Sequence, residues 1–216
     1  GYTFIGWYDD NGNIVNGTDI VEITEDTQLT AGWEANEYQL IFDYDGGTGN
    51  VNSKTIKYGE TYGELPEASK VGYTFMGWYD EDGNKIESTD IVDMTSDSTL
   101  YAKYEINKYF VTFKNDDGTE IKTIKVEHGT DATFTGELPE KDGVPAGYEA
   151  TFTGWNNEED LKNITKDVTV IATYEVSPIV YTITYYNLKD ADNSENPTTY
   201  TIETATFTLN NPSKTG

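Results

Sequence analysis

The side chains that could carry chemistry in this chain are carboxylates and aromatic rings. Its 216 residues include 39 Asp and Glu and 14 Lys, but no Arg, no Cys and a single histidine, His128. Pairs of a nucleophile and a histidine base are therefore nearly excluded, and carboxylate pairs remain as the acid/base option. Only acids in turns recur along the chain. We predict that the chain is not an enzyme, that it needs no cofactor and that His128 lies at the surface.

Two acidic segments resemble the beginning of a calcium-binding loop. They are Asp-Asp-Asn-Gly-Asn at 9–13 and Asp-Glu-Asp-Gly-Asn at 80–84. A calcium loop has about twelve positions and closes on a bidentate glutamate, and this pattern cannot be laid over both copies. We therefore predict hairpin turns here rather than metal sites. The same interpretation covers the other paired aspartates, which are Asp43, Asp45, Asp116 and Asp117.

The charge balance narrows the classes of partner. The net charge of −25 repels phosphate backbones, and a chain without guanidinium groups cannot make bidentate contacts to them. Neither nucleic acid nor an anionic membrane surface is expected as a partner. No apolar run approaches the ~20 residues of a membrane span, so no membrane insertion is predicted in this segment. Such acidity is typical of a solvated extracellular surface, although any soluble protein can show it.

A repeated aromatic signature organises the chain. Residues 72–80 read Gly-Tyr-Thr-Phe-Met-Gly-Trp-Tyr-Asp, residues 1–9 are a near copy, and residues 150–155 are a looser one. The spacing between copies is that of one small domain, which is longer than a solenoid repeat. A tryptophan at a repeated alternating position favours a core anchor, with stacking on sugars as the alternative. The signature residues are Tyr2, Phe4, Gly6, Trp7, Tyr73, Phe75, Gly77, Trp78, Phe152, Gly154 and Trp155.

Packing must hold this chain together, because it has no cysteine for disulfides or thiolate metal sites. Its aromatic content of 13% is too high for a disordered acidic segment, so the chain is predicted to fold. Short alternating strands separated by Asp/Asn-Gly pairs predict small antiparallel sheets. The nearest candidate for a helix is a single capped turn at 90–94, with a copy at 19–23.

Aligning the repeated strands divides the chain into four parts. Residues 36–106 and 107–177 are predicted to be complete modules, because each carries every strand in the same order. Residues 1–35 correspond to the C-terminal half of a module, and residues 178–216 correspond to the N-terminal half.

The two halves at the ends complement each other in sequence. Residues 212–216, Pro-Ser-Lys-Thr-Gly, match residues 68–72, Ala-Ser-Lys-Val-Gly, which lead into a signature, and residues 1–9 supply that signature. An isolated half leaves a hydrophobic face and a strand edge open, so each is expected to seek a partner. One expectation is head-to-tail filaments of neighbouring copies. The other is that the segment adjoins further repeats of a longer chain.

At these residues the chain resembles a known family. Tyr-Thr-Phe-x-Gly-Trp-Tyr before an Asp/Gly turn, with Gly-Glu-Leu-Pro upstream at 63–66 and 136–139, is similar to the Listeria/Bacteroides repeat. This is the B-repeat family of internalin B and many large bacterial surface proteins. The resemblance implies a mainly β chain of small β-grasp (ubiquitin-like) modules, arranged as an elongated array of beads on a string. The third signature, at 148–156, departs from the pattern, because it carries an insertion and has no tyrosine after Trp155.

The resemblance and the composition together predict a non-enzymatic structural repeat protein at the bacterial cell surface or cell wall. In this interpretation it is a stalk or fibre segment whose modules are joined by very short links. The alternative is an adhesin or carbohydrate-binding repeat region whose partners are host or cell-surface glycans or proteins. A binder should expose aromatic residues that do not recur between repeats. The candidates are Tyr148, Tyr185 and Tyr186.

Overall fold

The computed structural model describes residues 1–19, 24–186 and 196–210, and almost all regular structure in these residues is β, as predicted. One 3-10 helix spans Glu158–Leu161. No helix in the described ranges is long and apolar enough to cross a membrane. The strands are β1 (Tyr2–Tyr8), β2 (Ile14–Val15), β3 (Thr30–Ala35), β4 (Glu37–Asp43), β5 (Ser53–Lys57), β6 (Tyr73–Tyr79), β7 (Lys85–Ile86), β8 (Ser98–Ile106), β9 (Lys108–Lys114), β10 (Glu120–Glu127), β11 (Tyr148–Trp155), β12 (Val168–Pro178), β13 (Tyr181–Thr182) and β14 (Thr199–Tyr200).

The chain divides into two compact units, residues 1–107 and 108–216. The first unit contains the module 37–107, whose five strands lie in the order β5-β4-β8-β6-β7. Its first and last long strands, β4 and β8, are parallel neighbours at the centre of the sheet, and antiparallel strands flank them. The first half of this module (37–71) and its second half (72–107) therefore meet along the central strand pair.

The repeat signature forms a strand with a bulge at its glycine. The pairing of β6 with β8 shifts between Phe75 and Gly77, and Gly77 adopts a φ of 122°, which favours glycine. In a regular strand Phe75 and Trp78, three positions apart, would point to opposite faces. The extra residue brings both rings to one face, with their centroids 5.6 Å apart. The same bulge and ring contact recur around Gly6 and Gly154.

The core of module 37–107 forms around Trp78, which is 2% exposed. Its ring packs on Phe42 and Tyr44 of the first half, at centroid distances of 4.8 and 5.2 Å. Its indole N–H donates a 2.7 Å hydrogen bond to the carbonyl of Pro66. Trp78 thus joins the two halves and has no free face for a sugar. The other buried residues of this core are Leu40, Phe42, Ile56, Tyr62, Ala68, Val92, Leu100 and Ala102.

Module 108–178, in the second unit, repeats this plan with four strands in the order β10-β9-β12-β11. Its central pair, β9 and β12, is again parallel. Trp155 packs on Phe113 and Phe134 at 4.8 and 5.0 Å. The segment after Trp155, where module 37–107 has β7, forms the 3-10 helix instead. The buried residues are Val111, Phe113, Ala132, Leu161, Ile164 and Val170.

The insertion in the third signature lengthens a strand pair without shifting the register of the aromatic residues. Phe152 pairs with Tyr174, as Phe75 pairs with Tyr104. Beyond this point β11 and β12 pair for two residues more than β6 and β8 do, ending at Tyr148 opposite Pro178. The insertion in β11 is thus matched by an insertion of equal length in β12.

The predicted helical turn at 90–94 is wrong. Residues 87–90 form a turn in which the Asp90 carboxylate accepts a hydrogen bond from the backbone N–H of Glu87. Val92 is fully buried. Its backbone N–H donates a hydrogen bond to the carbonyl of Glu60, and its carbonyl accepts one from the backbone N–H of Gly59. These partners lie outside the segment, so tertiary pairing replaces the i to i+4 bonds of a helix. The copy at 19–23 lies mostly outside the described residues.

Replacing Trp78 with alanine tests the proposed anchor. We expect Trp78→Ala to destabilise module 37–107 by about 3–5 kcal/mol, because it removes the largest buried side chain of that core. Module 108–178 should keep its stability, since its buried cluster is separate. Hydrogen exchange resolved by peptide should show protection falling in β4 and β8 and unchanged in β9 and β12.

Trp7→Ala is the matched control, because Trp7 occupies the same place in the signature but is 47% exposed. In dilute solution it should cost less than about 1 kcal/mol. If it lowered protection in β4 and β8 as much as Trp78→Ala does, the anchoring role of Trp78 would be wrong.

Candidate interaction surface

Residues 1–35 present an open aromatic face. Phe4 contacts Trp7 and Trp33 at centroid distances of 5.6 and 5.5 Å, and all three rings are exposed. By strand register they correspond to Phe75, Trp78 and Tyr104, which the first half of module 37–107 covers. We name Phe4, Trp7 and Trp33 the open face. It has the chemistry of half a core that lacks its other half.

A cleft of about 340 Å³ lies between Tyr2 and Trp33, beside the open face. Tyr2 corresponds to Tyr73, because Tyr2 pairs with Ala35 as Tyr73 pairs with Ile106. Both rings of the cleft are more than half exposed, and its lining is almost entirely apolar.

The second unit contains the strands that correspond to a first half. Tyr181 pairs with Tyr200 across β13 and β14, and their rings stack at 5.2 Å. Beyond β14, Phe207 and Leu209 are exposed. This segment therefore offers apolar side chains of its own. Residues 212–216, which the sequence matches to 68–72, lie outside the described residues.

Within each unit, one signature strand packs on a hairpin that follows it in the chain. A Cβ on Gly1 would overlap the ring of Tyr58, and the rings of Tyr2 and Tyr58 meet edge to face at 5.2 Å. In the second unit Gly147 packs on Ile202 in the same way, and the Tyr148 hydroxyl donates to Glu203 at 3.1 Å. Gly1 and Gly147 thus allow a close approach that a side chain would obstruct.

The three candidate binding tyrosines have different surroundings. Tyr148 is half-buried, and its hydrogen bond to Glu203 raises the pKa of its hydroxyl. Tyr185 is half-buried and donates a 2.9 Å hydrogen bond to the carbonyl of Pro197. Tyr186 is 82% exposed. The structure does not bring the three rings into contact within the described residues, and a binding role for any of them stays a prediction.

His128 is half-buried beside Tyr109, with its Nδ1 3.4 Å from the tyrosine hydroxyl.

The acidic segments at 9–13 and 80–84 form turns whose first aspartate is satisfied internally. Asp80 accepts hydrogen bonds from the backbone N–H and the side-chain amide of Asn84, at 2.7 and 3.0 Å. Asp9 accepts the equivalent bonds from Asn13. These bonds lower the pKa of both carboxyl groups. Among the described residues no three acids or histidines come together in a way that could hold a metal ion.

A groove of about 1000 Å³ runs along module 37–107 between β5 and β7. Lys54 lies in it and donates a 2.7 Å hydrogen bond to the carbonyl of Glu64. Partial burial lowers the pKa of the Lys54 ammonium. Two aromatic residues border the groove, and Trp78 is buried while Phe75 is half-buried.

Sequence reasoning missed a lysine contact that both complete modules share. Lys70 places its ammonium 5.1 and 5.2 Å from the ring centroids of Tyr73 and Tyr104. Lys141 lies 5.6 Å from the ring of Tyr174, which corresponds to Tyr104. Lys141 follows Lys70 by 71 residues, and this recurrence was the signal that could have revealed the contact.

The family model for the Listeria-Bacteroides repeat domain matches residues 1–32, 38–103 and 109–176. Two proteins of Evansella cellulosilytica that carry membrane-protein names are 31% identical to the chain, over 92% and 86% of its length. Internalin H of Listeria monocytogenes is 34% identical over 50% of the chain. The chain spans only 30%, 21% and 20% of these three relatives.

Among solved structures, a streptococcal surface-protein fragment containing SHIRT domains 3-4 is similar to part of the chain. The match covers 66% of this chain and 99% of the fragment, with 13% sequence identity and a TM-score of 0.27.

The Asp80 turn yields a prediction on pH. Its folded-state pKa lies below the ordinary value of 3.8, so its contribution to stability is present above pH 3.8 and lost as the pH falls through the folded-state pKa. Asn84→Ala removes the side-chain bond that contributes most to this lowering, so the pKa of Asp80 should rise. Titration of carboxyl carbons by NMR measures the change.

Asp9 is the internal control, because it has its own partner in Asn13. Its pKa should stay low in Asn84→Ala. An unchanged titration midpoint for Asp80 in that variant would show that the hydrogen bond is not the cause.

Proposed function

Because this chain belongs to the Listeria-Bacteroides repeat family, we propose that it is a non-enzymatic structural repeat region of an extracellular bacterial surface protein. One observation carries the proposal. Modules 37–107 and 108–178 each have a separate apolar core, and a single residue, Asn107, lies between β8 and β9. Independent cores in tandem with so short a link favour a spacer that projects other parts of a protein.

The relatives support a location at the cell surface or cell wall. Two carry membrane-protein names and one is an internalin, and the chain matches only a part of each. A repeat region that recurs inside longer proteins suits a stalk better than a catalytic domain. The surface of the chain, with 39 acids against 14 lysines, suits a solvated extracellular setting.

We further infer that each module is a variant of the β-grasp fold. Two features of module 37–107 support this, namely its sheet order β5-β4-β8-β6-β7 and the parallel pair of its first and last long strands. In place of a packed helix, the loop between β5 and β6 contributes Tyr62 and Ala68 to the core.

The open face supports a finer proposal, that half-modules complement each other between copies. Phe4, Trp7 and Trp33 are exposed where a first half covers their counterparts. The segment 179–216 has the sequence of a first half, and its described part already pairs β13 with β14. A second copy can therefore supply the missing half and extend a head-to-tail filament.

An adhesive role is the second candidate, and the exposure of Tyr186 favours it. Its ring is 82% exposed and has no counterpart in the signature. In this alternative the binding of surface glycans should depend on Tyr186. Tyr186→Ala should abolish glycan binding without changing the mass of the native protein assembly.

Complementation is tested by mixing two truncated chains. Both truncated chains retain the two complete modules. A chain lacking residues 1–35 has the first-half segment but no open face, and a chain lacking residues 179–216 has the open face but no first-half segment. Each should be monomeric by light scattering, and the mixture should form a 1:1 complex and no larger species. For the untruncated chain, the mass of the native assembly should increase with protein concentration. On a denaturing gel the same sample should run as a single chain of 24.1 kDa.

Tryptophan emission supplies a second readout. Trp7 and Trp33 are exposed in the single chain, so their emission should shift to shorter wavelength when the truncated chains are mixed. If the untruncated chain stays monomeric at all concentrations and the truncated chains do not combine, the filament proposal is wrong and the spacer remains.

A further inference from the structure

In both complete modules a lysine of the first half contacts aromatic rings of the second. Lys70 donates a 2.7 Å hydrogen bond to the carbonyl of Asp45, also in the first half, while its ammonium lies over Tyr73 and Tyr104. Lys141 forms an ion pair with Asp116 and lies over Tyr174. The lysine is thus held by its own half and presents its charge to the rings of the other.

The cleft between Tyr2 and Trp33 is formed by rings at the corresponding strand positions, and among the described residues no lysine lies over them. Tyr2 and Trp33 occupy the strand positions of Tyr73 and Tyr104, and the space between them measures about 340 Å³. Tryptophan is the aromatic side chain that binds a cation most strongly. The cleft therefore has the volume and the aromatic lining to receive an ammonium group.

We propose that the Tyr2/Trp33 cleft is a lysine-binding site, and that its ligand is Lys214 of a second copy. This inference rests on the proposed complementation of half-modules. Lys214 precedes Gly216 by two residues, as Lys70 precedes Gly72, and each follows a serine. Lys214 itself lies outside the described residues, so the assignment comes from this match in sequence.

The lysine contact gives the open face a means of selecting its partner. The aromatic rings of the open face alone would pack against any apolar strand. The cleft, in contrast, accepts a cation at one position of the incoming segment. Lysines are scarce in the chain, with 14 among 216 residues, so few registers would place one in the cleft. The site thus sets the register of the complementing segment as well as adding affinity.

The test uses the full chain, with association measured by sedimentation velocity over a range of concentrations. Lys214→Met keeps the apolar stem and loses the charge, and it should weaken association about 5- to 30-fold. Lys214→Arg keeps a cation and should stay within about threefold of the unsubstituted chain. Trp33→Tyr installs the residue found at positions 104 and 174, and should also associate.

A double-mutant cycle isolates the contact from other effects. Trp33→Leu keeps an apolar side chain on β3 and removes the ring face. Because Trp33 also belongs to the open face, this variant should weaken association at least as much as Lys214→Met. In the combined variant the second change should add little. Additive effects would overturn the proposal, and so would equal association of Lys214→Met and the unsubstituted chain. Circular dichroism checks that β3 stays folded in the Trp33 variants.

The outcomes separate the lysine site from the complementation on which it rests. If the unsubstituted chain associates and Lys214→Met associates equally well, complementation stands and the lysine site is wrong. If the unsubstituted chain remains monomeric, both proposals fail, because the cleft then has no occupant from a second copy.

Discussion

Every complete module depends on aromatic contacts between its two halves. In module 37–107 the ring of Trp78 comes from the second half, while Phe42 and Tyr44 come from the first. A module of about 70 residues buries only a modest fraction of its surface, so few other apolar contacts stabilise it. Phe4, Trp7 and Trp33, the counterparts of the second-half rings in residues 1–35, are exposed.

Module 108–178 preserves this contact with different residues. Trp155 packs on Phe134, from the loop after β10, whereas Trp78 packs on Tyr44, whose position in the repeat is taken by Asn115. Asn115 follows β9 and is buried, and it accepts a 2.6 Å hydrogen bond from the Tyr174 hydroxyl while donating one to the Glu140 carbonyl. The polar group is thus satisfied, as a buried amide requires. The geometry of the ring cluster is maintained, while the residues that cover it vary.

Charge has a different part in this protein from packing. The ion pairs found among the described residues, such as Lys85 with Glu87, involve partly exposed side chains and contribute little to stability. The turn aspartates Asp9 and Asp80 are used by the backbone of their own hairpins. The aromatic cores therefore supply the stability, while the excess acid sets the net charge of −25. Lys70 and Lys141 are exceptions among the charged residues, because their ammonium groups lie over aromatic rings of the modules.

The sequence by itself determined the repeat and the β class, and the halves at the two ends remain its prediction. Alternation of apolar residues and Asp/Asn-Gly turns are local signals, and a period near 70 residues is visible without any structure. The repeated alternating position predicted a core anchor at each copy, but Trp78 is buried whereas Trp7 is 47% exposed, so the position alone does not decide burial.

Only the tertiary structure decided which strands meet and which side chains share a site. The parallel pairing of β4 with β8 joins residues about 58 positions apart, and no local pattern records it. The bulge at Gly77 depends on the partner strand, since a register shift is a property of two strands. The helical turn predicted at 90–94 failed because Val92 pairs with Gly59 and Glu60 instead. Lys70 reaches Tyr104 for the same reason, because contacts between distant residues depend on packing rather than on local sequence.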